Sequence, residues 1–307
     1  MRFAVLDLGT NTFHLLIAEQ NAAGQWQTLV REKRYVKLAE EGIHRISDAA
    51  FARGLVALQS FKIQLDTHGV PSSAVQAFGT AALRTAENAP EFLEQVFTLT
   101  GIRPESIPGD REAALIYLGV RQAVPFPDNR VLIMDIGGGS VEFIIADRTQ
   151  VLWQQSFPIG VAVLYRTFHR HDPIAGIEIQ HLEAFLDESL ADLWAALVRF
   201  PAPTMVGASG TFDVIDLFLL DPATKAELYG YIELSAFEPL CNQLIQSTLA
   251  ERRAMPKLPE ERVEMVVVAI ILIRRVLQRA GIREIYTSVY ALKEGMLAEL
   301  AQSGGRM

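Results

Sequence analysis

The sequence has only one cysteine, Cys241, among its 307 residues. A single thiol excludes an internal disulfide and suits the reducing cytoplasm, and we interpret it as an ordinary buried thiol. Long apolar runs are also missing. The longest, "MVVVAIILI" at 265–273, is too short to cross about 30 Å of hydrocarbon and predicts a buried helix or strand. We therefore predict a cytoplasmic protein that does not associate with a membrane.

Positive charge is scarce as well. The chain has 28 Lys and Arg residues against 36 Asp and Glu residues, which gives a net charge of −8. This balance argues against a nucleic-acid-binding surface, and an anionic ligand would need local donors. Low-complexity tracts are absent, which excludes a mainly disordered chain. Half of the residues are hydrophobic, enough to bury the cores of two domains.

Two segments of the sequence repeat one another. Each has two short apolar strands around a tight turn, "GTNT" after residues 3–8 and "GGGS" after residues 130–136, and each predicts a β-hairpin. Superposing the segments matches Asp7 with Asp135 and places His14 at the position of Glu142. We interpret His14 as a structural histidine.

A second repeat follows the first in the same order. The segments "VQAFGTAALRTA" (75–86) and "MVGASGTFDVID" (205–216) each lead from a strand through Gly-Thr into a helix, and we match Gly79 with Gly210. Two repeats at similar spacing indicate a duplicated α/β domain.

Apolar periodicity and proline positions predict the remaining organisation. Helical spacing is clear over 49–67 and 180–199. The prolines of "VPFPDNR" (124–130) predict a linker after a helix. A second Pro-rich break, "MPKLPEER" (255–262), introduces the last long helix, and the tail "SGGRM" is expected to fray.

The glycine turns favour a phosphate ligand. Two similar halves create a cleft, which is a preferred ligand site. Glycine lets backbone N–H groups approach an anion, and a helix that follows adds the positive end of its dipole. Asp7 and Asp135 would repel phosphate unless a divalent cation such as Mg²⁺ lay between them. The alternative for "DIGGGS" is a plain hairpin turn.

Five segments carry a family resemblance: "DLGTNTFHLLIAE", "FGTAALRTAENAPEFL", "GDREAALIYLGV", "LIMDIGGGSVEFIIAD" and "GASGTFDVI". Together they resemble the exopolyphosphatase/guanosine pentaphosphate phosphohydrolase (Ppx/GppA) family, in its short two-domain form. The resemblance implies an α/β fold of two ribonuclease-H-like domains, of the actin, hexokinase and acetate kinase superfold, with an interdomain cleft. Domain I would be 1–125, joined by the C-terminal helix at about 292–307, and domain II would be 126–291.

The resemblance also implies catalytic residues. Glu112 falls at the position of the catalytic glutamate, where a carboxylate could deprotonate the attacking water. Its alternative is a first-turn glutamate that stabilises a helix N-terminus. Arg84 matches the arginine of "ALRTAEN" and could clamp a phosphate, or else form a surface salt bridge.

The resemblance implies two further sets of residues. Three acidic residues would bind Mg²⁺ or another divalent cation: Asp135, Glu142 and Asp7. Glu142 could instead be a solvated strand residue. Polar and glycine residues of the turns would bind the substrate: Asn11, Thr12, Gly138, Gly139, Ser140, Ser209, Gly210 and Thr211.

The sequence departs from the family pattern at several places. Arg111 stands where many members have a second acid, and could alter a neighbouring pKa or bind phosphate. The loop "GASGT" lacks a pair of adjacent glycines, "VAVLY" follows "FPIG" where relatives often have an arginine, and "TSVYALKEG" replaces a glycine-rich turn. The basic cluster "REKRYVKL" at 31–38 either follows a polyanion or is a solvated edge strand protected by charge.

We predict an exopolyphosphatase that releases terminal phosphate from inorganic polyphosphate by metal-assisted hydrolysis. Guanosine pentaphosphate, which has the same terminal anhydride, is the alternative substrate. A kinase or ATPase of the same superfold would need an adenosine pocket that no motif marks. A non-catalytic polyphosphate-binding protein would keep the glycine loops without the acids. The sequence leaves open whether the protein is a monomer or a homodimer.

Overall fold

The computed structural model describes residues 2–21, 26–127 and 129–302. Position 128 of the predicted linker and the predicted frayed tail lie outside these ranges. The strands are β1 (Arg2–Leu8), β2 (Thr12–Gln20), β3 (Trp26–Tyr35), β4 (Val75–Gly79), β5 (Glu105–Ser106), β6 (Val131–Ile136), β7 (Val141–Ala146), β8 (Val151–Phe157), β9 (Thr204–Ala208), β10 (Tyr229–Ile232) and β11 (Glu284–Ser288).

The helices alternate with these strands. They are α1 (Asp48–Thr67), α2 (Ala81–Thr85), α3 (Ala89–Thr100), α4 (Gly109–Ala123), α5 (Val161–Phe168), α6 (Gly176–Ser189), α7 (Ala191–Arg199), α8 (Gly210–Leu219), α9 (Leu234–Gln246), α10 (Leu249–Arg253), α11 (Val266–Ala280) and α12 (Leu292–Gln302), with short 3-10 turns at Ser72–Ala74 and Glu260–Arg262. Within the described ranges, no helix is long and apolar enough to cross a membrane.

The chain divides into two compact units. Unit 1 comprises Met1–Gly119 and Leu292–Met307, and unit 2 comprises Val120–Ala291. The division falls inside α4, just before the prolines that end this helix. Helix α12 therefore belongs to unit 1, although it follows unit 2 in the sequence.

Each unit is built on one mixed sheet. The strand order is β3-β2-β1-β4-β5 in unit 1 and β10-β11-β9-β6-β7-β8 in unit 2. In both, the first strand of the unit pairs antiparallel with the second strand of its hairpin and parallel with the strand before the Gly-Thr loop. Strand β3, which carries most of the basic cluster, is an edge strand, a position where charged side chains commonly discourage further pairing.

The predicted hairpin repeat is confirmed in its hydrogen bonds. Asp7 lies opposite His14, and Asp135 lies opposite Glu142. The turns close alike, because Gly9 N–H donates to the Thr12 carbonyl at 3.1 Å and Gly137 N–H donates to the Ser140 carbonyl at 2.9 Å. A carboxylate therefore occupies the same place before the turn in each unit.

The second repeat differs by one residue from the sequence match. Asp7 lies opposite Phe78 in unit 1, and Asp135 lies opposite Ala208 in unit 2. Gly79 thus corresponds to Ser209, not to Gly210. In unit 2, Ser209 is an extra residue before the Gly-Thr pair. The pair therefore lies one position later along the chain than in unit 1, and the start of the helix relative to the pair differs between the units.

The cores follow the predicted apolar patterns, with one correction. The helix predicted over 49–67 is α1, and the run at 265–273 lies mostly in the buried helix α11. The helical spacing predicted over 180–199 is confirmed, but it covers two helices, because α6 and α7 are separated at Leu190. Leu186, Leu190 and Leu193 are all fully buried, so the apolar period continues across the break and conceals it.

Candidate active site

The two predicted catalytic residues meet in unit 1. Arg84 ends the short helix α2, and Glu112 lies in the first turn of α4. The Arg84 Nη1 atom donates to the Ile107 carbonyl at 2.8 Å and to Glu112 Oε2 at 3.2 Å. Glu112 is only 7% exposed, so the guanidinium supplies the positive charge that a buried carboxylate requires.

The Arg84 contacts bear on the two interpretations of this arginine. The alternative was a surface salt bridge, but its side chain is 27% exposed and its carboxylate partner 9%. The pair is therefore a half-buried charged group rather than a solvated one. Such an arrangement orients Glu112, and because both bonds use Nη1, other N–H donors at the edge of the guanidinium could bind another anion.

The glycine turn of unit 1 is tied to the start of α2. The Thr10 hydroxyl accepts a hydrogen bond from Ala82 N–H at 3.1 Å. The Asn11 carbonyl accepts from the N–H groups of Val36 and Lys37, at 2.9 and 3.1 Å. Thr12 is buried, and its carbonyl closes the turn. The Ala82 N–H at the start of α2 is thus used internally, and the Asn11 and Thr12 carbonyls are occupied as acceptors.

The triple-glycine turn of unit 2 is packed against the start of α5. A Cβ on Gly160 would overlap the backbone of Gly138 and Gly139. The carbonyls of Gly137 and Gly138 accept from Val161 and Ala162 N–H at 3.0 and 2.9 Å. The glycines therefore serve close backbone packing, which the sequence did not indicate.

This packing leaves donors on the other side of the turn. In the part of the chain that the structure describes, the N–H groups of Gly138 and Gly139 donate to no acceptor. Ser140 directs its hydroxyl toward Glu142. Consecutive N–H groups of this kind form an anion-binding concavity.

Asp135 and Glu142 form a pair of opposed carboxylates. They lie directly across from one another in β6 and β7, and they are 7% and 1% exposed. Glu142 is therefore not a solvated strand residue. Its Oε1 atom accepts from the Ser140 and Ser156 hydroxyls at 2.7 and 2.6 Å. Directly opposed like charges are unfavourable in a sheet, so a bound cation would stabilise this pair.

The donor set fits a hard divalent cation that keeps much of its water. Among residues 2–21, 26–127 and 129–302, no group of three or more His, Cys, Asp or Glu side chains could hold a metal alone. Mg²⁺ needs no such group, because one or two carboxylates with water and substrate oxygens complete its coordination. Asp135 and Glu142 lie in unit 2, and the third predicted ligand, Asp7, lies in unit 1.

The second predicted phosphate loop opens α8. Ser209 precedes the helix, Gly210 and Thr211 form its first turn, and Ser209 Oγ donates to the Ile136 carbonyl at 3.0 Å. Ile136 ends β6, so this bond joins the loop to the strand that carries Asp135. The first N–H groups of a helix have no partner within it, and they favour an anion at this end.

Arg262, in the 3-10 turn Glu260–Arg262, lies beside this loop, and no pattern of the sequence indicated it. Its guanidinium lies against the Cα atom of Gly210, where a Cβ would overlap it. Within the described residues, the side chain has no hydrogen bond or ion pair. A half-buried guanidinium beside a helix N-terminus is a suitable second donor for phosphate. Only a three-dimensional contact connects the two residues, and the Pro-rich segment around Arg262 gave no other signal.

The departures at Arg111 and in the C-terminal motif have structural explanations. Arg111 forms an ion pair with Glu299 of α12, so it joins two helices of unit 1. In "TSVYALKEG", the Ser288 hydroxyl donates to the Tyr290 carbonyl at 2.6 Å and closes the turn without glycine.

Cys241 takes no part in this chemistry. It is buried in unit 2, and burial raises the pKa of its thiol to about 12. The thiolate is therefore inaccessible near neutral pH.

A known phosphatase family matches almost the whole chain. The model of the Ppx/GppA phosphatase family aligns with residues 16–303. The chain belongs to the Ppx/GppA phosphatase family. This membership agrees with the resemblance of the five segments, and it accounts for the α/β fold with two sheets.

Solved structures of the family superpose closely on the Ppx/GppA chain described here. An exopolyphosphatase from Cytophaga hutchinsonii ATCC 33406 is 39% identical over 99% of this chain and 98% of its own, with a TM-score of 0.93. An exopolyphosphatase-like protein is 26% identical over 99% of both chains, with a TM-score of 0.87. The Ppx/GppA member from Aquifex aeolicus is 25% identical over 100% and 99%, with a TM-score of 0.81.

Proposed function

We propose that this protein hydrolyses the terminal phosphoanhydride bond of inorganic polyphosphate and releases orthophosphate. The observation that carries the proposal is the buried Glu112 carboxylate held by Arg84 at 3.2 Å. A phosphatase of this family needs a base for water and a cation for the phosphate, and this pair offers both. The similarity to exopolyphosphatases favours polyphosphate over guanosine pentaphosphate.

Glu112 is the proposed general base. A carboxylate fixed by an arginine can orient a water molecule and accept its proton as the oxygen attacks phosphorus. Arg84 would then bind the oxygens of the terminal phosphoryl group, on which negative charge must be stabilised in the transition state.

The turns of unit 2 are proposed to bind phosphate. The N–H groups of Gly138 and Gly139, the first turn of α8 and the Arg262 guanidinium are donors suited to an anion. They neutralise charge without proton transfer, so we assign them binding rather than acid or base roles. Ser140 stabilises the carboxylate of Glu142.

Asp135 and Glu142 are proposed to hold Mg²⁺ or another divalent cation, and Asp7 is the proposed third acidic residue. When bound, the cation would neutralise phosphate oxygens and polarise the anhydride. Removing divalent cations with EDTA is therefore expected to stop phosphate release, and adding Mg²⁺ back is expected to restore it.

The test compares phosphate release from polyphosphate by the wild type, Glu112→Gln and Asp110→Asn. We expect Glu112→Gln to lower kcat by about 10²- to 10⁴-fold, because the general base is lost. Asp110 lies in the same first turn of α4 and is exposed, so Asp110→Asn makes the same charge change as a matched control. Circular dichroism checks that both variants fold.

Two results would contradict the proposal. Equal losses of kcat in Glu112→Gln and Asp110→Asn would show that Glu112 is not the general base. No release from polyphosphate by the wild type would reject the activity, and the same assay with guanosine pentaphosphate would test the alternative substrate. Transfer of phosphate from ATP to a sugar would instead favour a kinase.

A further inference from the structure

The hairpin repeat places different chemistry at matching positions of the two units. In unit 2, Asp135 lies opposite Glu142, and Glu142 lies opposite Ser156. In unit 1, the same register places Asp7 opposite His14, and His14 opposite Lys33. We refer to Asp7, His14 and Lys33 as the Lys33 row. The duplicated sheet thus has an acidic row in unit 2 and a row that ends in a cation in unit 1.

The three side chains of the Lys33 row share one face of the sheet. Residues directly opposite in antiparallel strands lie on the same face, about 5 Å apart, so Lys33 begins roughly 10 Å from Asp7. Asp7 and His14 are half-buried and Lys33 is exposed. The row therefore runs across the sheet, from the proposed acidic residue on β1 to solvent at the edge strand β3.

Two residues of β3 flank Lys33 on this face. The Lys33 Nζ atom lies 5.3 Å from the centroid of the Tyr35 ring, two residues along the same strand face. Arg31, on the same face in the other direction, forms a 3.1 Å ion pair with Glu294 of α12. Arg31 therefore connects β3 to α12. Lys33 lies nearer than Arg31 to the "GTNT" turn.

The substrate explains why a cation belongs here. Polyphosphate carries negative charge on every unit, and binding its terminal phosphate leaves the remaining charges beside a protein of net charge −8. A local cation on the same face as the acidic residue, about 10 Å from it, would reduce that repulsion for the units that follow. A substrate with few phosphates would gain less from it.

We propose that the Lys33 row binds the phosphates behind the terminal one, with Lys33 as the main donor, and that it sets a preference for long chains. This inference rests on the proposed function. It assigns part of the basic cluster a role in chain-length specificity. It gives this role to Lys33 and not to the adjacent Arg34.

The strand itself supplies the control. Arg34 is adjacent to Lys33 but points to the opposite face, where it forms an ion pair with Glu32. Lys33→Ala and Arg34→Ala each remove one positive charge from the same edge strand. The overall field of the protein changes equally, and only the first variant changes the face that carries Asp7.

The experiment measures kcat/KM for tripolyphosphate and for long-chain polyphosphate with the wild type, Lys33→Ala, Lys33→Arg and Arg34→Ala. We expect Lys33→Ala to lower the ratio of long-chain to tripolyphosphate kcat/KM by about three- to ten-fold. Lys33→Arg should restore most of the ratio, and Arg34→Ala should leave it near the wild-type value. The Lys33→Ala effect should weaken at high salt.

An unchanged ratio in Lys33→Ala, or equal changes in Lys33→Ala and Arg34→Ala, would overturn the inference while the proposed function stands. If the wild type releases phosphate from no chain length, the proposed function fails instead. Equilibrium dialysis of long-chain polyphosphate in EDTA then decides: weaker binding by Lys33→Ala than by Arg34→Ala supports the row, and equal binding rejects it.

Discussion

Ser209 has a backbone conformation that only glycine adopts readily. Its φ is +71° and its ψ is −179°, a region that costs other residues of the order of 1–3 kcal/mol. The hydrogen bond from Ser209 Oγ to the Ile136 carbonyl partly offsets this cost. The family often has two adjacent glycines at this loop, and the backbone of Ser209 keeps the conformation that a glycine would favour.

Ser209 therefore allows a comparison of two substitutions. Ser209→Gly relieves the strain but loses the hydrogen bond, so we expect the free energy of unfolding to stay within about 1 kcal/mol of the wild type. Ser209→Ala loses the bond and keeps the strain, so we expect a loss of about 1–2 kcal/mol. Urea unfolding measures the free energy of unfolding of both variants. If Ser209→Ala were at least as stable as Ser209→Gly, the backbone of Ser209 would not be strained.

At the scale of elements, α12 and α4 pack at their backbones. A Cβ on Gly295 would overlap the Leu115 carbonyl and lie 3.2 Å from Gly119 N. Gly295 belongs to α12, and the two α4 residues belong to the same unit. Close approach of these helices also allows the Arg111–Glu299 ion pair and the burial of Met296.

Gly295→Ala is expected to destabilise unit 1. The methyl group would force the helices apart at a cost of about 1–3 kcal/mol. Gly176→Ala is the control, because Gly176 is exposed at the start of α6 with no atom within 4 Å of its Cβ position, and it should stabilise by about 0.4–1 kcal/mol. Thermal unfolding compares them, and similar midpoints would show that the helix contact tolerates a side chain.

The elements that the sequence predicted correctly are those with a local signal. The two hairpins, which have "GTNT" and "GGGS" as their turns, were predicted because each has short apolar strands on both sides of turn residues. The break at Leu190 has no glycine or proline and interrupts no apolar period, so it could not be predicted. Glu112 and Arg84 were identified by family resemblance, and their contact joins α2 to α4, which are far apart in the sequence. Arg262 meets Gly210 only through the folded chain.

At the scale of the whole molecule, unit 1 is assembled from two separate parts of the chain. Leu292–Met307 belongs to it, although this segment follows the whole of unit 2 in the sequence. Helix α12 contributes buried Leu292, Leu297 and Leu300 to unit 1. Its Glu294 and Glu299 pair with Arg31 and Arg111 of the same unit.

Ending the chain at Ala291 should therefore damage unit 1 selectively. Loss of the buried α12 side chains removes several kcal/mol of hydrophobic stabilisation from that unit. We expect faster amide hydrogen exchange in β1, β2 and β4, with slower exchange retained in β6, β7 and β9. Hydrogen exchange followed by mass spectrometry measures this, and equal loss of protection in both sheets would contradict the assignment of α12 to unit 1.

The discontinuity of unit 1 also determines the order in which a newly synthesised chain can be completed. Residues 1–119 leave the ribosome first, but α12 follows them only after residues 120–291. At about 5–20 residues per second, the surface that α12 covers stays open for roughly ten to thirty seconds. Unit 2 can complete its sheet during that interval. The core of unit 1 can therefore be completed only after all of unit 2 has been synthesised.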